Sequence, residues 1–194
     1  MIEIHDIAGL DLASQGRRDY ALRLPAVAAS GAAVAAEAAV HILVGGSGPT
    51  LLVAAGVHGD EYEGQLVVRR VLHRLTPDDL TGRLILLPTV SRPAAVAGTR
   101  RSPLDGHDLG RLFPAGVDDG PSSAIARAVA DWLLPHADLV FDFHSGGRAM
   151  EFVPSTNLMA TIGTPWYGRC LPFVQAFGAP WAIRTTATKG SSTN

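Results

Sequence analysis

The stretch Leu51-Leu52-Val53-Ala54-Ala55-Gly56-Val57-His58-Gly59-Asp60-Glu61-Tyr62-Glu63-Gly64 leaves this chain few ways to fold. An apolar run of strand length stops at a glycine, a histidine and an acid follow, and a helical pattern then begins. Strands buried on both faces of a parallel sheet read as continuous apolar runs, and in open α/β sheets ligands bind beyond the carboxyl ends of the strands. His58 and Glu61 therefore fall where an α/β fold places its chemistry. Across a strand-to-helix corner, His-x-x-Glu can aim an imidazole and a carboxylate at one point, a donor pair suited to Zn²⁺. The same residues admit a plainer reading. Glu61 can be an acid that complements the positive end of a helix, and Asp60 and Glu63 have the offset of a capping box with Asp60 as cap, which makes Glu63 structural. On this stretch alone the two readings of His58 and Glu61 are level.

The remaining pattern supplies the layers. Val67, Val68, Val71, Leu72 and Leu75 keep a helical period through residues 60–75. Residues 83–88 read as a second buried strand. A second helix is expected from about Pro121, where proline suits the first turn, to Leu134, with Ile125, Val129, Trp132 and Leu133 on its buried face and Pro135 as its stop. Residues 138–144 form a third core strand. Alternation of this kind implies an α/β fold of three layers, α/β/α, around a mostly parallel mixed sheet. Residues 38–44 read as a further strand closed by a hairpin turn at residues 45–49, which has neither the spacing of a dinucleotide fingerprint nor that of a nucleophile elbow. Residues 1–37 are expected as peripheral strands and loops, with 20–24 as an edge strand. Residues 38–184 are expected as the α/β domain and 185–194 as a polar tail.

The third strand ends as the first does, in a histidine before small residues: His144-Ser145-Gly146-Gly147. Asp142 shares a strand face with His144 by the two-residue period. Inside a run of Leu, Val and Phe a carboxylate needs a partner, and metal-bound histidines commonly pass their second N–H to one; the alternative for Asp142 is capping of a neighbouring helix. Two strands each delivering a histidine at the carboxyl edge favour a metal site of His58, Glu61 and His144. The loop over residues 89–121 is long enough to be functional and carries Arg92, Arg100, Arg101 and Arg111 beside Asp105, His107 and Asp108.

Bulk properties narrow the partners. A net charge of −2 with no basic cluster excludes a nucleic-acid binder, and no apolar run approaches the roughly 18 residues of a membrane span. The single Cys170 excludes an internal disulfide and suits a reducing, cytoplasmic compartment. It reads as a small buried hydrophobe, and Tyr62 and Trp166 as core packing.

Four blocks in order carry a family resemblance. They are Gly56-Val57-His58-Gly59-Asp60-Glu61-Tyr62-Glu63-Gly64; Ala97-Gly98-Thr99-Arg100 with Ser102-Pro103-Leu104-Asp105-Gly106; Asp108-Leu109-Gly110-Arg111-Leu112-Phe113-Pro114; and Asp142-Phe143-His144-Ser145-Gly146-Gly147-Arg148 with Phe152-Val153-Pro154. Together they resemble the succinylglutamate desuccinylase/aspartoacylase family of zinc amidohydrolases, relatives of the zinc carboxypeptidases. The wording is most similar to the deacetylase branch acting on N-acetylated diaminobutyrate.

The resemblance implies one Zn²⁺ per chain on His58, Glu61 and His144, with Arg100 polarising the scissile carbonyl and Arg111 gripping the substrate carboxylate. Arg148, following the third ligand, is a further substrate-binding candidate. The implied activity is zinc-dependent hydrolysis of the amide of a small N-acyl amino acid, and a homo-oligomer is compatible with it. Two departures matter. Gly110 stands where the family has asparagine before Arg111. The family's general-base glutamate and its β-rich second domain have no counterpart in the 50 residues after His144, where the last glutamate is Glu151. The chain thus reads as the amino-terminal part of a longer enzyme with impaired turnover; the alternative is a non-catalytic metal- and carboxylate-binding protein.

Overall fold

The computed structural model describes residues 1–186 and divides the chain into two compact units, Met1–Arg148 and Ala149–Asn194. The first unit is built on a six-stranded sheet. Its strands are β1 (Ile2–Ile4), β2 (Gly16–Val27), β3 (Ala33–Val44), β4 (Thr50–Ala55), β5 (Arg83–Leu87) and β6 (Leu139–Phe143), in the order β1-β2-β3-β5-β4-β6. The pairs β1–β2, β5–β4 and β4–β6 are parallel, whereas β2–β3 and β3–β5 are antiparallel. The sheet is mixed: the half that carries the histidines, β5-β4-β6, is parallel, and β1–β2 forms a second parallel pair at the other edge.

Helices cover both faces. α1 (Tyr62–Arg74) lays Val68 and Leu72 on Leu43, Val53, Ala55, Leu84 and Leu86. α3 (Pro121–Ala128) packs Ile125 and its alanines on the other face, against Val40, Ile42, Ile85 and Leu87. The alternation of side chains along each strand divides the apolar residues between these two cores. Beyond Ala128 the helix widens into a π turn (Val129–Leu133), in which the Leu134 N–H reaches the Val129 carbonyl, and then tightens to a 3₁₀ turn (Leu134–His136). Pro135 has no N–H to return to the preceding turn, so the expected helix to Leu134 is present in direction but not in regular form.

Three expectations are corrected. Residues 16–27 are not peripheral: β2 pairs with β3 along all twelve residues, β1 covers its outer side, and Tyr20, Leu22 and Leu24 are buried beneath α3. The turn at residues 45–49 is not a hairpin, because β5 lies between β3 and β4. Glycine is required there by close approach: a β-carbon on Gly45 would collide with the carbonyl oxygens of Pro77 and Leu80 as the turn crosses the entry to β5. β6 is an edge strand of the sheet among the described residues, with Val140 and Asp142 exposed, rather than a core strand.

The loop over 89–121 is ordered by its own polar groups and holds α2 (Arg92–Ala97) and a 3₁₀ turn (Leu109–Arg111). Asp105 accepts from the Ser122 N–H and hydroxyl and from the His107 N–H. Asp118 accepts from Ser123, the Gly120 N–H and His107 Nε2.

The second unit comprises β7 (Ser155–Met159) paired in parallel with β8 (Trp181–Thr185), and α4 (Pro165–Phe177). Thr164 caps α4 by accepting from the Tyr167 N–H, and Cys170 is buried. Trp166 is exposed, not core. The expected polar tail lies, beyond residue 186, outside the described residues. Among the described residues no helix is long and apolar enough to cross a membrane.

Two outcomes follow. Leu22→Ala should cost about 2–5 kcal/mol of stability, as for a buried leucine, measured by urea unfolding; a truly peripheral strand would lose little. The hydrogen bonds to Asp118, from His107 first and then Ser123 and Gly120, lower its pKa from 3.8 to about 2. A lowered carboxyl pKa contributes stability that is present above the unfolded value and lost as pH falls through the folded one. Acid titration from pH 4 to pH 2 should therefore release this loop, seen as accelerated amide exchange at Gly120, and Asp118→Asn should abolish that pH step.

Candidate metal centre

Two neighbouring parallel strands place the histidines. Ala55 at the end of β4 is in register with Phe143 at the end of β6. His144 follows Phe143 directly, and His58 follows Ala55 after a two-residue turn, so both emerge at one edge of the sheet. The corner that carries His58 is pressed onto α2: a β-carbon on Gly59 would collide with the Ala94 carbonyl, so only glycine lets this corner sit there. Glu61 immediately precedes α1 and points back towards the same edge.

Its carboxylate joins the set. Glu61 Oε1 lies 2.8 Å from His58 Nδ1, and Oε2 lies 2.9 Å from His144 Nδ1 and 3.1 Å from the Ser145 N–H that donates to it. The two imidazole rings are 5.1 Å apart at an angle of 53°. One ligand atom from each of His58, Glu61 and His144 falls within 4.8 Å of the others, close enough to hold a metal ion together.

Both rings are also held from behind. His144 Nε2 meets Asp142 Oδ2 at 2.8 Å, and His58 Nε2 meets Asp108 Oδ1 at 3.0 Å. This is the arrangement in which a carboxylate fixes the orientation of a metal-binding imidazole. Asp142 has the expected partner, although it is half-exposed on the edge strand rather than buried. Asp108 was not anticipated as a partner of His58. It also receives Arg100 Nε at 3.3 Å and lies 3.6 Å from Arg111 Nε, and it accepts from the Gly110 N–H. The available signal was an acid of capping type directly before a short turn, within a loop otherwise rich in arginine.

The electrostatics suit a cation. Burial opposes ionisation of Glu61, but hydrogen bonds from His144 and His58 and from the Ser145 N–H outweigh it and hold its carboxyl below the usual range. Burial likewise opposes ionisation of Asp108, and His58 and the two arginines overcome it. The Asp142 hydrogen bond, then that to Glu61, pushes His144 up to about 10. Between two carboxylates this ring binds a proton tightly where no metal is present. A divalent cation with nitrogen and oxygen donors fits the same place.

The arginines form the rim. Arg100 reaches both Asp108 and, at 3.2 Å, Glu61 Oε1, with half of its side chain open to solvent. Arg111 is more exposed still, and among the described residues Asp108 is its ion-pair partner. Arg148 donates through Nε to the Tyr62 hydroxyl at 2.9 Å and lies 5.8 Å from the centre of that ring. Tyr62 is thus an exposed partner of an arginine and not core packing. Asp60 caps nothing: no side chain caps α1, and Glu63 instead accepts from the Ser145 hydroxyl.

Known proteins resemble this chain in sequence and fold. Residues 47–194 match the model of the succinylglutamate desuccinylase/aspartoacylase catalytic domain. The chain is 37% identical over 176 residues to the N-alpha-acetyl-L-2,4-diaminobutyric acid deacetylase of Halomonas elongata, covering 91% of this chain and 52% of that protein. The crystal structure of a succinylglutamate desuccinylase/aspartoacylase from Rhodobacter sphaeroides superposes with a TM-score of 0.83 at 36% identity, over 91% of this chain and 54% of the other. A metallo-carboxypeptidase from Burkholderia cenocepacia, at 18% identity and a TM-score of 0.57 over 95% of this chain and 51% of its own, shares the fold. The chain spans about half the length of these relatives. With most of its residues matched by the family model, the chain belongs to the succinylglutamate desuccinylase/aspartoacylase family.

Proposed function

We propose that this chain carries the zinc-binding and substrate-orienting residues of an amidohydrolase that removes the acyl group from a small N-acyl amino acid, N-acetylated diaminobutyrate being the nearest model. One observation carries the reading: the Glu61 carboxylate lies between the Nδ1 atoms of two histidines whose Nε2 atoms are each held by another carboxylate. Similarity to a deacetylase of diaminobutyrate supports the substrate class. A cytoplasmic location belongs to the same reading and rests on the lone buried cysteine.

His58, Glu61 and His144 would hold the zinc ion, which when bound would supply an electrophilic centre and lower the pKa of water towards neutrality. Asp108 and Asp142 keep the two rings turned towards that centre. Arg100, held beside Glu61 and Asp108, would act as the fixed cation that lowers the energy of an oxyanion more than that of the neutral amide. Arg111, loosely held at 3.6 Å by Asp108, is free to take a substrate carboxylate as a planar donor fork, and Arg148, braced on Tyr62, is a second such group. Holding the carboxylate would orient the amide beside His58, Glu61 and His144 and remove an entropic share of the barrier. The reading includes slow turnover, because a general base contributes roughly 10²–10⁴-fold and no glutamate lies where the family would place one.

Metal analysis tests the centre. Zinc should be near one per chain, and His58→Ala and His144→Ala should each bring it close to zero. Asp108→Asn should retain the fold and weaken zinc about 10–100-fold in competition with a chelator; unchanged zinc in all three variants would leave the residues as ordinary polar groups. Acetate release from N-acetyl-diaminobutyrate tests the chemistry. It should be slow, vanish on zinc removal, and respond to Arg111→Gln mainly through KM and to Arg100→Gln mainly through kcat. Brisk hydrolysis would assign the general base to another residue of this chain.

A further inference from the structure

A cavity of about 490 Å³ opens at the opposite edge of the sheet from the metal centre, where β4 and β5 begin. Thr50 and Arg83, the first residues of those strands, form its floor. Ile7, Leu10, Leu12 and Ala13 form an apolar wall, and His136 closes one side. The volume is within the range of small-molecule pockets.

Arg83 is the unexplained group. Its Nε is buried and has no hydrogen-bond partner among the described residues. Three arginines on β2 are engaged instead: Arg17 with Asp19, Arg18 with Asp11, and Arg23 with Glu37 and Glu3. Leaving a buried donor of a charged group unsatisfied is unfavourable, so the Arg83 guanidinium is poised for an anion from solution. Asp11 also lines the cavity, but its carboxylate is committed to Arg18 and to the Ala13 and Ser14 N–H groups. That fixed negative charge disfavours a multiply charged anion, and the aliphatic wall favours an apolar body.

We propose that this cavity binds a small organic monocarboxylate, with its carboxylate on the Arg83 guanidinium and the His136 imidazole and its aliphatic portion on Ile7, Leu10 and Leu12. A planar carboxylate matches the guanidinium fork. The ligand would tie the amino-terminal segment to the entry of β4 and β5. The site is independent of the metal centre and of the reaction proposed there.

The test follows the Arg83 Nε–H and His136 ring resonances of the full chain by NMR during titration. The probes are 4-methylvalerate, the uncharged 4-methylvaleramide of nearly the same shape, acetate and inorganic phosphate. An Arg111→Gln background removes carboxylate binding at the other edge of the sheet. The proposal expects saturable shifts with 4-methylvalerate, at least tenfold weaker binding of the amide, acetate and phosphate, and at least tenfold weakening by Arg83→Gln. Leu10→Trp, which fills the cavity and leaves Arg83 in place, should block binding as well, so the site stays testable if Arg83→Gln does not fold. Equal affinity for acid and amide, tighter binding of phosphate, unchanged affinity in either variant, or no saturable shift of the two resonances would each overturn it.

Discussion

A single buried carboxylate organises the histidine-bearing edge of this molecule. Glu61 takes hydrogen bonds at 2.8 to 3.2 Å from His58, His144, the Ser145 N–H and Arg100. A carboxylate this far from water is costly unless its oxygens are satisfied, and its donors come from the end of β4, the end of β6 and the arginine-bearing loop. The fold has to bring those three segments together before Glu61 can ionise without penalty. The strand order does so, by setting β4 and β6 side by side with Ala55 opposite Phe143.

Asp108 plays the complementary part behind His58. It is the shared partner of one ring and two arginines, with Arg100 continuing on to Glu61. Acid and base therefore alternate across the edge: carboxylate, imidazole, carboxylate, guanidinium. Such a chain is buried at His58, Glu61 and Asp108 and open at its solvent end, where Arg111 stands 3.6 Å from Asp108. That gradient suits a site in which the metal ligands must be fixed and the groups meeting an incoming molecule must be able to reorient.

Much of this was legible in the chain itself, for a physical reason. Continuous apolar runs ending in Gly-x-His and in His-Ser-Gly mark strands whose carboxyl ends face a ligand, and the two-residue period set Asp142 beside His144. What the linear pattern does not encode is pairing order. Nothing near residues 45–49 reveals that β5 inserts between β3 and β4, because the glycines that permit the crossing look the same as those of a hairpin. Burial of β2 was equally hidden, since the weak alternation of residues 20–24 is ambiguous until α3 is seen to cover it. Asp108 was overlooked because its partner is 50 positions away in sequence, and local context made it one acid among several in a polar loop. Tyr62 was misjudged for the opposite reason: an aromatic in the first turn of a buried helix packs inward by default, and here an arginine draws it outward.

The third donor follows β6, an edge strand of the sheet among the described residues, whereas the first follows the interior strand β4 and the second leads into α1. An ion shared by all three is therefore also a rivet, fastening a border strand across 83 positions of chain. Cohesion of that border and retention of the ion are then one trait. A mutation that frays the margin would present as a defect in metal retention, and scarcity of metal would present as a defect in folding.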